Sequence, residues 1–362
     1  MQPQAEINLN NLCHNLDIIR YTVGDAKIMG VVKADAYGHG VIPVTKALAE
    51  AGIDGFCVAL TSEIQELRNN EINIPILHLG CFNHNHLDLF DNRTFCSLNS
   101  FDDIESIEKY YSHTGRQINA HVKFDTGMGR LGFSYQNAAI VLNQLANSKS
   151  INLKGVYSHF STSEEVDTDY MELQRKRFID ITQLADTIIG NDLDYHIANS
   201  GGIFSGNDNH FDMVRPGITL YGVTPVGKTN TQLKSVMEFK APIVIVKSIA
   251  KGESIGYNRT YFAPKNMDVA LVQAGYADGV PMEFSNKGEV TFNDLQFPIL
   301  GKVSMDLVCI DCTNNRINVG DMVTFWGSDI SKLNIISEES NKSPYSFLTG
   351  ITKRVKRKYI NV

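Results

Sequence analysis

Eight short apolar runs, spaced by longer amphipathic stretches, constrain this chain more than any other feature. The runs are Lys27–Lys33, Asp54–Leu60, Ile74–Gly80, Thr94–Leu98, Gln117–Phe124, Leu153–Ser158, Tyr195–Ala198 and Phe211–Arg215. Between several of them the pattern turns helical. Phe101–His113 and Tyr170–Gly190 carry apolar residues at three- and four-residue spacing, and Ser62-x-x-Gln65 reads as a capping box after the second run. Alternating strand and helix builds parallel βαβ units. Eight such units predict an α/β fold with a TIM-type (β/α)8 barrel rather than an open sheet.

After about Thr231 the texture changes. Pro242–Val246, Val269–Val272, Glu289–Phe292, Phe297–Leu300, Val308–Asp311 and Met322–Trp326 read as strands, with turn signals such as Lys251-Gly252, Asn293-Asp294 and Val319-Gly320-Asp321 between them. Pro298 predicts that its strand is an edge strand or begins there, because proline cannot donate to a ladder. The expected organisation is a barrel over residues 1–230 and an all-β domain over 231–362, in keeping with a length of 362 residues. The basic tail Lys353–Lys358 reads as a solvated terminal segment.

Charge and composition narrow the partners. The net charge of 33 − 40 = −7 argues against a nucleic-acid binder. No apolar run approaches the ~18 residues of a membrane helix. The start Met1-Gln2-Pro3-Gln4-Ala5-Glu6 lacks the basic and apolar regions of a signal peptide, so the cytoplasm is the expected compartment. Of six cysteines only Cys309 and Cys312 have a C-x-x-C spacing. Without a second pair or matching histidines they predict buried thiols rather than a zinc or redox site. The His84 and His86 pair likewise implies no metal.

In a TIM barrel the active site lies where the strands end. The first run closes in Lys33-Ala34-Asp35-Ala36-Tyr37-Gly38-His39-Gly40, the fifth in Lys123 to Arg130 and the sixth in Ser158-His159. The seventh closes in Asn199-Ser200-Gly201-Gly202 and the eighth in Arg215-Pro216-Gly217-Ile218. Each has a plain reading: a solvated lysine, a loop tyrosine, a structural histidine, a helix cap, an ion-pairing arginine. Together they suit an anion plus carbonyl chemistry. A desolvated Lys33 could form a Schiff base, and backbone N–H groups after Ser200 and Gly217 could receive a phosphate.

Rival classes fare worse. Asp125-Thr126-Gly127 carries the aspartic-protease signature, but the nearest second copy, Asn199-Ser200-Gly201, has an amide where the acid belongs. A barrel that only stores a cofactor leaves the β domain without a purpose.

The stretch Val32–Gly40 resembles the pyridoxal-phosphate signature of the alanine racemases. The resemblance continues through Lys123–Gly132, His159-Phe160, His196–Ser200, Val214–Ile218, Tyr221-Gly222, Gly256-Tyr257, Gly275–Gly279 and Val303–Asp306, and ends at Tyr345 and Arg354–Tyr359. It implies pyridoxal 5'-phosphate as cofactor, alanine as substrate and a head-to-tail homodimer. By motif, Lys33 would hold the cofactor covalently and serve as base for the D-enantiomer. Tyr257, from the partner's β domain, would serve the L-enantiomer. Tyr37, Ser200, Gly217, Ile218 and Tyr345 would bind the cofactor phosphate, with Asn199 in the same motif. Arg215 would face the pyridine nitrogen with His159 behind it. Arg130 would lie beside the cofactor's phenolic oxygen and the substrate carboxylate, which the Met305 N–H would also bind.

In many members of this family the lysine at the position of Lys123 carries a carbamate, against the plain reading of a solvated lysine paired with Asp125. That feature favours alanine over a broad-specificity amino-acid racemase of the same fold, which also accepts serine. A decarboxylase on this barrel is disfavoured, because its cysteine–acid motif is missing. The resemblance also implies a supply of D-alanine for peptidoglycan. Three positions depart from the family pattern: Lys302 and Met282, where many members have arginine, and Ser346, where glutamate is usual.

Overall fold

Each of the eight apolar runs overlaps a strand in the computed structural model, which describes residues 2–165, 168–223, 232–327, 333, 337 and 342–361. The strands are Lys27–Val31, Gly55–Val58, Ile76–His78, Thr94–Leu98, Ile118–Asp125, Ile151–Tyr157, Asp194–His196 and Met213–Val214. The first seven pair in parallel in chain order, and the eighth pairs with the first. The ring closes between the seventh and eighth through the Asp212 N–H to Tyr195 O (3.1 Å) and the Arg215 N–H to Ala198 O (3.0 Å). Strands such as Gly55–Val58 are buried at every residue. Helices cover their outer face and side chains fill the barrel, so they read as unbroken apolar runs.

Local signals set the helices. Phe101–Thr114 starts at Ser100, whose hydroxyl accepts the Asp103 N–H (3.3 Å) while the Asp103 carboxylate accepts the Ser100 N–H (3.1 Å). It ends at Gly115 in the left-handed region. The helix after the second strand, Thr61–Asn69, is capped differently from the Ser62/Gln65 expectation. It starts earlier, and Glu63 reaches back to the N–H groups of Ala59 (2.8 Å) and Leu60 (3.0 Å).

The second sheet runs in the order Met267–Val272, Val308–Asp311, Leu295–Leu300, Glu289–Phe292, Met322–Trp326, Met237–Ile249, Gln4–Asn8, Lys356–Ile360. It closes where the long strand Met237–Ile249 pairs again with Met267–Val272. Two expectations are corrected here. The strand holding Pro298 is interior, not an edge, and Pro298 lies mid-strand. The Ile299 N–H points to Gly288 O (2.8 Å), so the missing donor at Pro298 faces the other side. Pairing with Val308–Asp311 begins there only at Ile299, and no ladder bond is lost. The basic tail is exposed at Lys353, Arg354, Lys356 and Lys358, but from Lys356 it forms a strand. Lys356–Ile360 runs parallel to Gln4–Asn8, and Lys358 and Lys240 both bind the Glu6 carboxylate, at 2.9 and 2.5 Å.

The chain thus begins in the second sheet before it enters the barrel. The expected boundary at 230/231 falls outside the described residues. Among the described residues no helix is long and apolar enough to cross a membrane. Cys309 and Cys312 are free and buried, and burial pushes their thiols up, to about 12 and about 11.

Candidate active site

At the C-terminal ends of the barrel strands lies a cavity of about 540 Å³. Lys33, Tyr37, Lys123, Arg130, His159, Asn199, Ser200, Arg215, Gly217 and Tyr345 all line it. Four of these are cationic, and among the described residues no carboxylate lines the cavity. Ile218 is buried directly behind, opening the turn in which the Tyr221 N–H returns to Ile218 O (3.1 Å).

Lys33 follows the first strand and begins an unusual turn. Ala34, Asp35, Ala36 and Tyr37 all have φ between 52° and 54°. Each such non-glycine residue costs about 1–2 kcal/mol, so the turn persists only because its surroundings hold it. The Glu63 carboxylate accepts the Ala34 N–H (2.7 Å), and Asp35 accepts the Val41 N–H (2.7 Å). The buried His39 imidazole lies 3.0 Å from both the Ala36 and Tyr37 carbonyls. Tyr37 stacks on Tyr221, whose hydroxyl donates to Val31 O (2.9 Å). The turn aims the lysine into the cavity and the tyrosine toward Gly217. A Cβ on Gly217 would come 2.6 Å from the Tyr37 hydroxyl, so only glycine allows this approach. The Gly217 N–H donates to Ser200 Oγ (2.9 Å). Asn199 spends its side chain on the fold: Oδ1 accepts from the Gly202 N–H and from Ser163, and Nδ2 donates to Phe160 O.

Arg215 is buried. Its guanidinium donates to Ser158 O (2.7 Å) and Ile197 O (3.2 Å), to His196, and at 3.4 Å to His159. It also lies 5.2 Å from the centre of the Tyr157 ring. His159 is held well below the ordinary histidine range by burial and by the cations around it. Burial, with Arg130 nearby, lowers the Lys33 amine. Lys123 ends the fifth strand, and burial with Arg215 and Arg130 lowers it to about 8. Asp125 does not pair with it. That carboxylate accepts the N–H groups of Gly127, Met128 and Arg130 and so shapes the loop that carries Arg130.

Tyr257 and Met305 are not part of this cavity. Both lie on the β domain, 69% and 51% exposed. Tyr257 stands with Lys302 at a second hollow of about 430 Å³. Met282 is exposed on the same domain. Three participants carried no sequence signal: Glu63, Tyr157, and Glu164, whose carboxylate accepts the Tyr345 hydroxyl (3.1 Å). An acid meeting N–H groups from two strand ends is visible only in three dimensions.

The donor set suits an aldehyde cofactor that bears a phosphate. It offers an amine for the carbonyl, hydroxyls and N–H groups beside Gly217, and uncompensated positive charge. Residues 7–225 match the family described as alanine racemase, N-terminal domain, and residues 236–359 match alanine racemase, C-terminal domain. The chain is 38% identical to alanine racemase 2 of Caldanaerobacter subterraneus, over 99% of this chain and 94% of that one. It is 35% identical to the alanine racemase of Rickettsia rickettsii, over 98% of each. Among solved structures, the alanine racemase of Bartonella henselae with covalently bound pyridoxal phosphate superimposes with a TM-score of 0.92 at 31% identity, covering 99% of this chain and 100% of that one. The alanine racemase of Streptomyces lavendulae gives 0.93 at 27%, covering 100% and 98%.

Proposed function

The chain belongs to the alanine racemase family of isomerases, and on that premise we propose that it interconverts L- and D-alanine with pyridoxal 5'-phosphate, using Lys33 and the Tyr257 of a second copy as its two bases. The observation that carries the reading is the cavity itself: a desolvated lysine shares it with Arg215, Tyr37 and Ser200, with four cations and no acid among the described lining residues. Lys33 would hold the cofactor aldehyde, and Tyr37, Ser200, Tyr345 and the N–H groups of Gly217 and Ile218 its phosphate. Bound there, the cofactor would delocalise the electron pair left when the alanine Cα loses its proton.

The residues divide the remaining work. Lys33 moves the proton on one face of Cα and Tyr257 on the other. Lysine and tyrosine ordinarily titrate near ~10, so a base at neutral pH must be tuned downward. Burial and Arg130 do this for Lys33. Arg215 never gives up its proton at neutral pH. Facing the pyridine nitrogen of a bound cofactor, it would leave that nitrogen unprotonated and limit electron withdrawal, which would favour prompt return of the proton to Cα. Arg130 and the Met305 N–H would bind the substrate carboxylate. The exposure of Tyr257 and Met305, and their absence from the lining of their own chain's cavity, support supply in trans and hence a homodimer. The reading also carries a cytoplasmic role in making D-alanine for peptidoglycan.

Purified protein incubated with L-alanine and resolved by chiral chromatography should yield both enantiomers, and borohydride should fix the cofactor on the peptide containing Lys33. Absence of D-alanine, or label on another lysine, overturns the reading.

A further inference from the structure

Behind Arg215, a chain of polar groups crosses the barrel core. An Arg215 Nη1 hydrogen bond meets His196 Nδ1, and His196 Nε2 lies 2.8 Å from His121 Nδ1. His196 ends the seventh strand and His121 lies in the fifth; both are buried. Arg215 opens on the upper cavity. His121 lines a separate cavity of about 770 Å³ at the opposite end of the barrel, with Lys27, Asn119, Asn152 and Lys154. The three residues therefore join the two ends of the barrel.

Their protons can be ordered in one direction only. A guanidinium has donors and no acceptor. His196 Nδ1 must then present a lone pair, so a neutral His196 carries its proton on Nε2. That proton goes to His121 Nδ1, and a neutral His121 keeps its own on Nε2, toward the lower cavity. Burial and the Arg215 charge hold both imidazoles neutral, His121 at about 3.

The surroundings are built to this chain. The Tyr157 ring stacks on His196 at 4.8 Å and 3°, its hydroxyl 2.6 Å from Ser97 Oγ. A Cβ on Gly155 would come 2.4 Å from His121 Nδ1, so glycine makes the room. The pairing of the fifth and sixth strands shifts register between Ala120 and His121.

We propose that His196 and His121 form a one-way hydrogen-bond relay that positions the Arg215 guanidinium from within the barrel core. This rests on the role proposed above for Arg215. His121 is then a positioning residue that acts across the barrel without touching cofactor or substrate. If position 121 cannot accept, the buried His196 Nε2–H is left unpaired. The tautomer that relieves it turns an N–H against the Arg215 N–H, and the guanidinium must swing away.

The test compares holoenzyme of the wild type, His121→Asn and His121→Leu. The asparagine Oδ1 stands where the histidine Nδ1 stood and still accepts; leucine fills space and does not. His121→Asn should keep kcat for L-alanine within about threefold, while His121→Leu should lose about tenfold with KM within about twofold, the usual scale for an outer orienting partner. On histidine-labelled protein, ¹⁵N shifts should show His196 protonated at Nε2 in the wild type and His121→Asn, and not in His121→Leu. Equal kcat in all three, or equal losses of kcat and Tm in both variants, overturns the relay. So does a wild-type His196 protonated at Nδ1 or doubly protonated, a result that needs no variant to fold. The tautomer signal needs no turnover either. A wild type inactive on alanine therefore overturns the proposed function, while the His196 signal decides the relay separately.

Discussion

The barrel mouth and the face of the β domain that bears Tyr257 are opposite kinds of surface. At the mouth, the functional groups are fixed before any ligand arrives. Arg215 is buried and held by backbone carbonyls and histidines, and Lys33 sits on a turn of four strained residues clamped by Glu63, Asp35 and His39. On the β domain, Tyr257 lies on a single turn, Tyr257–Arg259, and its ring is exposed like Met305 and Met282. In one region the side chains are held in place by their own chain. In the other they stand exposed, outside the cavity of their own chain. Preorganised groups act best where they need not move on reaction, and an exposed tyrosine gains a defined environment only when another surface covers it.

This contrast can be broken by experiment, most sharply at its centre. Lys33→Ala should lower racemisation by at least ~10⁴-fold, since it loses both a base and the covalent attachment. Mixing it with an inactive Tyr257→Phe chain under subunit exchange should restore activity. Statistical pairing leaves about a quarter of all sites with both wild-type bases. No recovery in a mixture shown to contain hybrids would mean that each chain uses its own Tyr257.

Tyr257→Phe alone should reduce α-proton removal from L-alanine by ~10²–10⁴-fold, the usual worth of a positioned acid or base. Exchange from D-alanine into deuterated water should fall much less. Equal loss for both enantiomers would end the two-base division.

Lys123→Ala should cost less and be partly repaired by added short carboxylic acids. With its amine lowered to about 8 between Arg215 and Arg130, Lys123 is partly uncharged near neutral pH and can attack carbon dioxide. The carbamate turns a repelled cation into an anion that can hold Arg130 by charge-assisted hydrogen bonds. A crystal structure near neutral pH with a bare ammonium, and full activity, would dispose of it.

Acid should damage the barrel before the β domain. His39 and His78 are held to about 4, His121 to about 3, and His159 and His196 well below 6.5, by burial. Each folded pKa is depressed below the unfolded value, so the unfolded chain binds more protons as pH falls below 6.5. Stability is therefore full above 6.5 and is lost progressively toward pH 4 and below, by up to about 1.4 kcal/mol per pH unit for each histidine. A Tm that stays level from pH 7 to 4.5 would contradict these buried neutral imidazoles.

The smallest effect belongs to the entrance. Met282→Arg should lower the serine-to-alanine ratio of kcat/KM by a fewfold, if a methionine there leaves the approach less polar. An unchanged ratio places Met282 outside the entrance.

Much of the fold was legible because parallel barrel strands are buried on both faces, and eight apolar runs therefore stand out. The two added strands did not stand out. Gln4–Asn8 alternates polar and apolar residues over only five positions, and Lys356–Ile360 is a lysine-rich edge strand of the kind that resists stray pairing. Their pairing joins residue 4 to residues 240 and 356, a contact that no local pattern announces. The cap at Glu63 was missed by register, and Pro298 was misjudged because its unpaired side is settled by a neighbouring strand.

The sequence by itself determined which residues could do chemistry. Lys33, Tyr37, Lys123, Arg130, His159, Ser200 and Arg215 all close apolar runs, and parallel strands deliver their ends to one mouth. Tertiary structure alone decided how those groups are held. It set Glu63 under the strained turn, Glu164 against Tyr345, and His121 against His196 across 75 residues of chain. The physical reason is range: periodicity reports burial one element at a time, whereas hydrogen bonds between strand ends depend on the closure of the whole barrel.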